Sequence, residues 1–269
     1  MCNKNTHGAE TVADANGGAA YTSESSQVHD LVTANHILYD QGVVDAFGHV
    51  SVRHEKYPDR FLLARNMAPG LVTASDIIEF DLEGAPLNAA GRSVYLERFI
   101  HGQIYKARPD VMAVVHSHSA TVVPFSVVKN SPFRAVCHMA GFIGTSTPVF
   151  EIREFGGDGT DLLVSNNALG AGLAQTLGSR SVVLMRGHGS TAVADTLKKA
   201  VYRAVYTEVN ARTQAEASKL GEVTFLSEAE SLTTVSSIEG QVPRAWDFWK
   251  RTAAATHAAL SKEFDVFLK

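Results

Sequence analysis

The sequence predicts a single α/β domain around a mostly antiparallel or mixed sheet. Helical and strand-like stretches intermix without the regular alternation of a doubly wound parallel sheet, and no internal repeat is visible. The chain has 269 residues, 45% of them apolar and 19% charged, a globular balance that excludes wholesale disorder. A chain approaching this size buries about 75% of its unfolded surface, so folding needs neither a disulfide nor a structural metal.

Residues 1–25 are rich in Gly, Ala, Ser, Thr and Asn and poor in large apolar side chains. Burial cannot offset their ordering entropy, so they read as a flexible tail. From Ser26 an apolar stripe of Val28, Leu31, Val32, Ile37 and Leu38 predicts a helix that stops at Gly42. Residues 50–54, 60–64 and 77–81 read as strands, with Gly84 and Pro86 supplying the next turn. Leu96, Phe99, Ile100, Gln103 and Ile104 predict a second helix over 93–107, and Pro109 stops it. Residues 111–115 form an apolar run leading into His116-Ser117-His118. A helix near 121–128, a strand near 148–152, a helix near 167–177 and a strand over 181–185 follow, then Arg186-Gly187-His188-Gly189. Asp195 is placed to cap a long helix to about Leu220, and 242–268 looks mostly helical.

Lys plus Arg number 24 and Asp plus Glu 28, for a formal charge of −4. That mildly acidic balance argues against nucleic acid as a partner, since such binding rests on a basic footprint. Cys2 and Cys137 are too few for a disulfide framework and read as free thiols in a reducing compartment. No run of 18 apolar residues and no secretion-signal pattern is present, so no membrane association and a cytoplasmic location are expected.

His116 and His118 lie two apart at a strand end, so both imidazoles share one face and could meet one ion. Two satisfied polar side chains at a strand end would look the same. His188 lies between two glycines after a second apolar strand, which suits a ligand loop or a plain tight turn. Glu97 has His101 one turn later, a pair that fits either a shared cleft or a half-exposed helix face.

Together these residues match a family pattern. From about residue 26 to about residue 225 the chain resembles the class II aldolase/adducin family. The matching blocks are Gly48-His49-Val50-Ser51-Val52-Arg53, Glu97 with His101, Tyr105-Lys106-Ala107-Arg108-Pro109-Asp110, Val114-Val115-His116-Ser117-His118 and Gly187-His188-Gly189. The resemblance implies a central, largely antiparallel nine-stranded sheet flanked by helices and assembly as a homotetramer or a multiple of it; beyond the matching region, 226–269 is expected as a mostly helical extension of the same domain. It also implies a divalent metal on His116, His118 and His188, with Glu97 as the acid/base carboxylate. Such an ion serves as a Lewis acid for developing negative charge.

The chain departs from the family's sugar-phosphate aldolases. Those place two serines before the glutamate and a Thr-Pro-Ser/Thr-Gly stretch after an early strand, which together hold the phosphate. Here the glutamate follows Tyr95-Leu96, and the early stretch reads Ala64-Arg65-Asn66-Met67-Ala68-Pro69-Gly70. Gly48-His49 replaces the usual Gly-Asn. This variant resembles a branch of metal-dependent decarboxylases of hydroxylated aromatic acids. Within that branch, length and overall character resemble the decarboxylases of hydroxypyridine dicarboxylates in vitamin B6 breakdown, which makes manganese the first expected ion and zinc or cobalt the next. The implied substrate is a small carboxylate met by His49, Ser51 and Arg65, since guanidinium pairs carboxylate bidentately. A strand-end histidine and a surface arginine are the plain alternatives for His49 and Arg65. An aldolase or epimerase of a non-phosphorylated sugar acid and a non-catalytic adducin-like module remain the competing functions.

Overall fold

The computed structural model describes residues 26–267, with side chains described as far as residue 257. The expected tail over 1–25 and Cys2 lie outside the described residues. Helix α1 (Ser26–Asp40) buries Val28, Leu31, Ala34, Ile37 and Leu38, and Gly42, at φ +67°, turns the chain out of it.

Strands β1 (His49–Arg53), β2 (Arg60–Ala64) and β3 (Ile77–Asp81) follow as an antiparallel meander. Helix α2 (Arg98–Ala107) leads to β4 (Ala113–Ser117) and the single turn α3 (Val123–Val127). Strand β5 (Val149–Phe150), the short α4 (Arg153–Gly156), α5 (Asn167–Leu177), β6 (Val182–Met185) and β7 (Gly189–Ala194) complete the sheet. Its order is β3-β2-β1-β4-β7-β6-β5, antiparallel throughout except for the β5–β6 pair. Helices α6 (Leu197–Leu220), α7 (Glu228–Ile238) and α8 (Val242–Phe267) close the fold. Trp246 and Trp249 of α8 are buried in the main core.

Seven strands are present among the described residues, where the family resemblance implied nine. Residues 132–136 form no strand, because their backbone groups pair with side chains of α6 and not with a neighbouring backbone. Asn210 accepts from the Val136 N–H and donates to the Arg134 carbonyl, while Gln214 accepts from the Arg134 N–H and donates to the Pro132 carbonyl. Two amides one helical turn apart thus stand in for a strand ladder.

Other elements depart from expectation in detail. Helix α2 begins at Arg98 and not at Ser93, because the preceding segment is held open by Tyr95, whose hydroxyl donates to the Met67 carbonyl. Thr196, not Asp195, caps α6 by accepting from the Lys199 N–H, and Asp195 pairs with the Lys199 ammonium instead. Strand β7 escapes the sequence patterns, and α7 falls within the mostly helical stretch expected over 226–269 without being marked as an element of its own. Cys137 is a free thiol, and no helix among the described residues is long and apolar enough to cross a membrane.

Helix α2 is wedged between two backbones. A Cβ on Gly102 would sit 2.4 Å from the Leu82 carbonyl oxygen, and one on Gly170 of α5 would sit 2.6 Å from the Phe99 oxygen. For Gly102→Ala, helix propensity favours alanine by about 0.5–1 kcal/mol, whereas forcing atoms into a packed site costs about 1–3 kcal/mol. Crowding against a backbone atom should win, so a thermal melt is expected to show a lower Tm. An unchanged or higher Tm would mean that α2 is not held this tightly.

Candidate metal centre

The candidate site forms where β4 ends, β7 begins and α2 starts. His49 and His116 are cross-strand partners, and His116 faces Thr191 across the other ladder, so the imidazoles of His49 and His116 share one face of the sheet. His118 lies two residues beyond His116. His188 sits in the β6–β7 turn after Gly187, at φ +64°. Its neighbour Gly189 approaches β4 so closely that a Cβ would lie 2.1 Å from the Ser117 carbonyl oxygen. Only glycine lets β7 enter the sheet there and bring His188 to the β4 histidines.

The Nε2 atoms of His116 and His188 each lie 2.9 Å from the Nε2 of His118. Glu97 Oε2 lies 3.5, 3.8 and 3.4 Å from the Nε2 atoms of His116, His118 and His188, and the four ligand-type atoms fall within 4.8 Å of one another. Two of the imidazoles are fixed from behind. His116 Nδ1 donates to the Ser190 carbonyl at 3.2 Å, and His188 Nδ1 donates to the Leu162 carbonyl at 2.8 Å. A carbonyl only accepts, so each Nδ1 carries the proton and each neutral Nε2 presents a lone pair. Lone pairs and a carboxylate oxygen converging at these distances repel one another, and a cation relieves that repulsion. The residues present therefore fit a divalent ion, and nitrogen and oxygen donors suit zinc and manganese-like metals.

Glu97 is the N-terminal flanking residue of α2 but does not cap it. Its Oε1 accepts from the Val164 N–H at 3.0 Å, which leaves Oε2 aimed at the imidazoles. Burial would raise its pKa, but when the facing imidazoles of His116, His118 and His188 carry protons in place of an ion, their hydrogen bonds and positive charge outweigh burial and hold the carboxyl well below the usual range. Burial lowers His116 to about 4. Burial also pulls on His188, yet the adjacent Glu97 carboxylate raises it overall. Leu162, whose carbonyl orients His188, is a non-glycine residue at φ +69°, a conformation that persists only where surrounding contacts hold it.

The structure thus brings together Glu97, His116, His118 and His188. His49 lies beside them, its ring 5.0 Å from that of His116 and 4.6 Å from that of Tyr95, but contributes no atom to the cluster. Its Nδ1 bonds His101 Nε2 at 2.6 Å, and burial, with His101 and His116 as neighbours, drives its pKa well below the usual value. Ser51 is fully buried behind His49, with its hydroxyl engaged by His101 and Tyr105. Arg65 pairs with Asp76 at 2.6 Å and, among the described residues, makes no ion pair with the cluster.

Several residues receive no role at the site from the sequence alone. Tyr105 follows His101 by four residues, a helical spacing that could have revealed it. Phe47 is 66% exposed and its ring lies 6.3 Å from that of His118. Leu162 and Val164 act through backbone atoms, so no side-chain pattern marks them.

An α/β sheet carrying a metal-type cluster of three histidines and one glutamate at its strand ends defines the class of this protein. The chain belongs to the class II aldolase and adducin family, whose description, Class II Aldolase and Adducin N-terminal domain, matches residues 29–215. It is similar to the decarboxylase tropJ of Talaromyces stipitatus, 39% identical over 250 residues that cover 84% of this chain and 94% of that protein. It is also similar to the 3,4-dihydroxyphthalate decarboxylase of Arthrobacter keyseri, 29% identical over 71% of this chain and 78% of that protein. Among solved structures, the L-fuculose 1-phosphate aldolase of Glaciozyma antarctica superposes with a TM-score of 0.68 at 24% identity, covering 90% of this chain and 93% of that one.

Metal binding should be visible in stability. A divalent ion at 100 times its dissociation constant adds about 2.7 kcal/mol to a folded protein that binds it at one site. With roughly 2–4 °C per kcal/mol for a protein of this size, chelator-stripped protein should gain about 5–10 °C in Tm on adding manganese, zinc or cobalt. His118→Ala should gain little. A wild-type Tm indifferent to all three ions would remove the cluster as a metal site.

Proposed function

We propose that this chain is a divalent-metal-dependent carboxy-lyase that removes carbon dioxide from a hydroxylated aromatic or pyridine dicarboxylate. The first substrate to test is 3-hydroxy-2-methylpyridine-4,5-dicarboxylate, an intermediate of vitamin B6 breakdown, with manganese as the first ion. The carrying observation is the cluster itself: two imidazoles locked as lone-pair donors, a third between them, and one buried carboxylate. Similarity to tropJ and to a dihydroxyphthalate decarboxylase favours loss of carbon dioxide over aldol cleavage.

In this reading His116, His118 and His188 hold the ion, which when bound supplies Lewis-acid stabilisation of charge on the substrate's ring oxygen. Glu97 moves the proton. It is ionised at rest, so it can take the proton of a hydroxyl ortho to the carboxylate and return it to the ring carbon that bears the carboxylate. The resulting β-keto acid loses carbon dioxide, and the electron pair of the broken bond restores the aromatic ring with charge on the oxygen. His49 and Arg65 meet the second carboxylate, with Arg65 sharing its guanidinium between substrate and Asp76. The exposed ring of Phe47 offers a flat wall beside His118. Assembly as a homotetramer or a multiple of it belongs to the same reading.

The competing reading, an aldolase or epimerase acting on a non-phosphorylated sugar acid, draws support from the fold of the L-fuculose 1-phosphate aldolase. The two diverge in products. The proposed enzyme should release carbon dioxide from a hydroxypyridine or hydroxybenzene diacid in the presence of manganese, zinc or cobalt. No release from any such diacid, with cleavage of a sugar acid to pyruvate or an aldehyde, would establish the competing reading.

Glu97→Gln should lower turnover by roughly 100-fold or more, the scale of a lost general acid or base. Metal content by elemental analysis then separates proton transfer from ligation, because a variant that keeps its ion but not its turnover has lost the proton carrier. Near-normal turnover would reduce Glu97 to a structural residue at the start of α2.

A further inference from the structure

Four buried side chains run away from the cluster in a single hydrogen-bonded line. His49 Nδ1 lies 2.6 Å from His101 Nε2, His101 Nδ1 lies 2.6 Å from Ser51 Oγ, and Ser51 Oγ lies 2.7 Å from the Tyr105 hydroxyl. A neutral imidazole carries one donor and one acceptor nitrogen. A line of such groups can be polarised one way or the other, so whichever end has no choice fixes the rest.

Tyr105 is the end without a choice. Ser51 Oγ is the one hydrogen-bond partner its hydroxyl meets among the described residues. Burial pushes the phenol pKa up, so the proton stays. Tyr105 therefore donates to Ser51, Ser51 donates to His101 Nδ1, and the remaining His101 proton, on Nε2, is donated to His49 Nδ1. The proton of His49 is left on Nε2. Among the described residues that atom meets no protein partner, yet it is not among the buried unpartnered polar atoms, so it reaches accessible space beside the cluster. The reverse polarity would leave the buried Tyr105 hydroxyl with no acceptor, a costly arrangement.

We infer that Tyr105, Ser51 and His101 lock His49 as a permanent Nε2–H donor at the edge of the metal site, where it selects substrates that present an acceptor oxygen there. His49 is then a specificity-determining residue, and Ser51, His101 and Tyr105 are positioning residues that act through it. A nitrogen carrying a proton cannot ligate an ion, so His49 stays out of the coordination sphere despite its nearness to His116. Nor is it the acid of the reaction, because giving up its proton along this line would leave a buried tyrosinate. The identity of the acceptor, the second carboxylate of a diacid, rests on the proposed function. The polarity of the line does not.

Neutron diffraction from deuterium-exchanged crystals of the metal-loaded protein without substrate tests the lock directly. Deuterium is expected on Nε2 of both His49 and His101 and absent from their Nδ1 atoms. Deuterium on His49 Nδ1 would overturn the inference whatever the reaction proves to be. Conversely, the expected tautomers with no carbon dioxide released from any diacid would sink the decarboxylase reading and leave the lock standing. In solution, Ser51→Ala removes the link that sets His101. It should raise KM for the diacid about 10-fold while kcat stays within about 2-fold, and Ser51→Thr, which keeps the hydroxyl, should restore much of the loss. An equal fall in kcat for both variants with KM unchanged would mean that the line only supports the fold.

Discussion

Helix α2 and strand β1 meet in register because their repeats nearly match. Four residues advance a helix by about 6 Å, and two residues advance a strand by about 6.7 Å. Glu97, His101 and Tyr105 therefore run alongside His49, Ser51 and Arg53, and the polar groups of the seam find partners across it. His101 bonds both His49 and Ser51, Tyr105 bonds Ser51, and the Arg53 guanidinium lies 4.8 Å from the Tyr105 ring centre. Arg53 also donates to the carbonyls of Val111, Pro58, Tyr105 and Arg108, fastening the C-terminal end of α2 to its surroundings. Burial without partners would cost each of these groups about 1–3 kcal/mol, so the register cannot slip by one residue without orphaning several of them at once. Glu97 reaches the imidazoles because the rest of the seam holds its helix in place.

The histidines depend on the backbone in the same way. Carbonyls of Ser190 and Leu162 fix two tautomers, and the Val164 N–H fixes the Glu97 carboxylate. Leu162 and Val164 belong to one short segment, so a single loop orients both the imidazole from the β6–β7 turn and the carboxylate from α2. That arrangement gives the positive φ of Leu162 a structural reason: it aims a carbonyl inward that a relaxed turn would leave facing elsewhere. Gly187 and Gly189 let β7 start close enough to β4 for the imidazoles to converge.

Much of this architecture is legible in the sequence. Strong apolar periodicity places α1 and α5, and short β-prone stretches place β1 to β3 to within a residue or so. Strand β7 is not legible, because Gly189-Ser190-Thr191-Ala192-Val193-Ala194 is built of small residues buried on both faces and has no alternation to read. Helix α7, though inside the stretch expected to be mostly helical, is hidden as a separate element. Its sequence is rich in Ser, Thr and Glu, and its sharpest signal is the reciprocal cap between Ser227 and Glu230. The cluster residues are legible through their family pattern, but the spacing of His116 and His118 alone does not separate ligands from ordinary polar residues. The groups that orient them are carbonyls and amides of Ser190, Leu162 and Val164, and a backbone atom has the same identity in every residue. Arg65 shows the opposite limit: its residue type suits a carboxylate, but nothing in the local sequence reveals that Asp76 already lies against it.

The same cluster can serve two kinds of carbon–carbon cleavage, so the ligands alone do not choose the reaction. Both leave an electron pair on an oxygen, and they differ in the fragment that departs. Releasing an aldehyde requires a base to take the proton from the hydroxyl on the departing carbon, whereas releasing carbon dioxide from a carboxylate requires no proton removal at that end. If His49 is polarised as inferred, it offers an N–H where a retro-aldol reaction would gain from an acceptor. An N–H donor suits a carboxylate that must be held without being protonated, and in the proposed reaction it leaves Glu97 free to carry the one proton that moves from ring hydroxyl to ring carbon. The choice between the reactions then lies in the hydrogen-bonded line behind His49, which ends at a phenol buried too deeply to give up its proton.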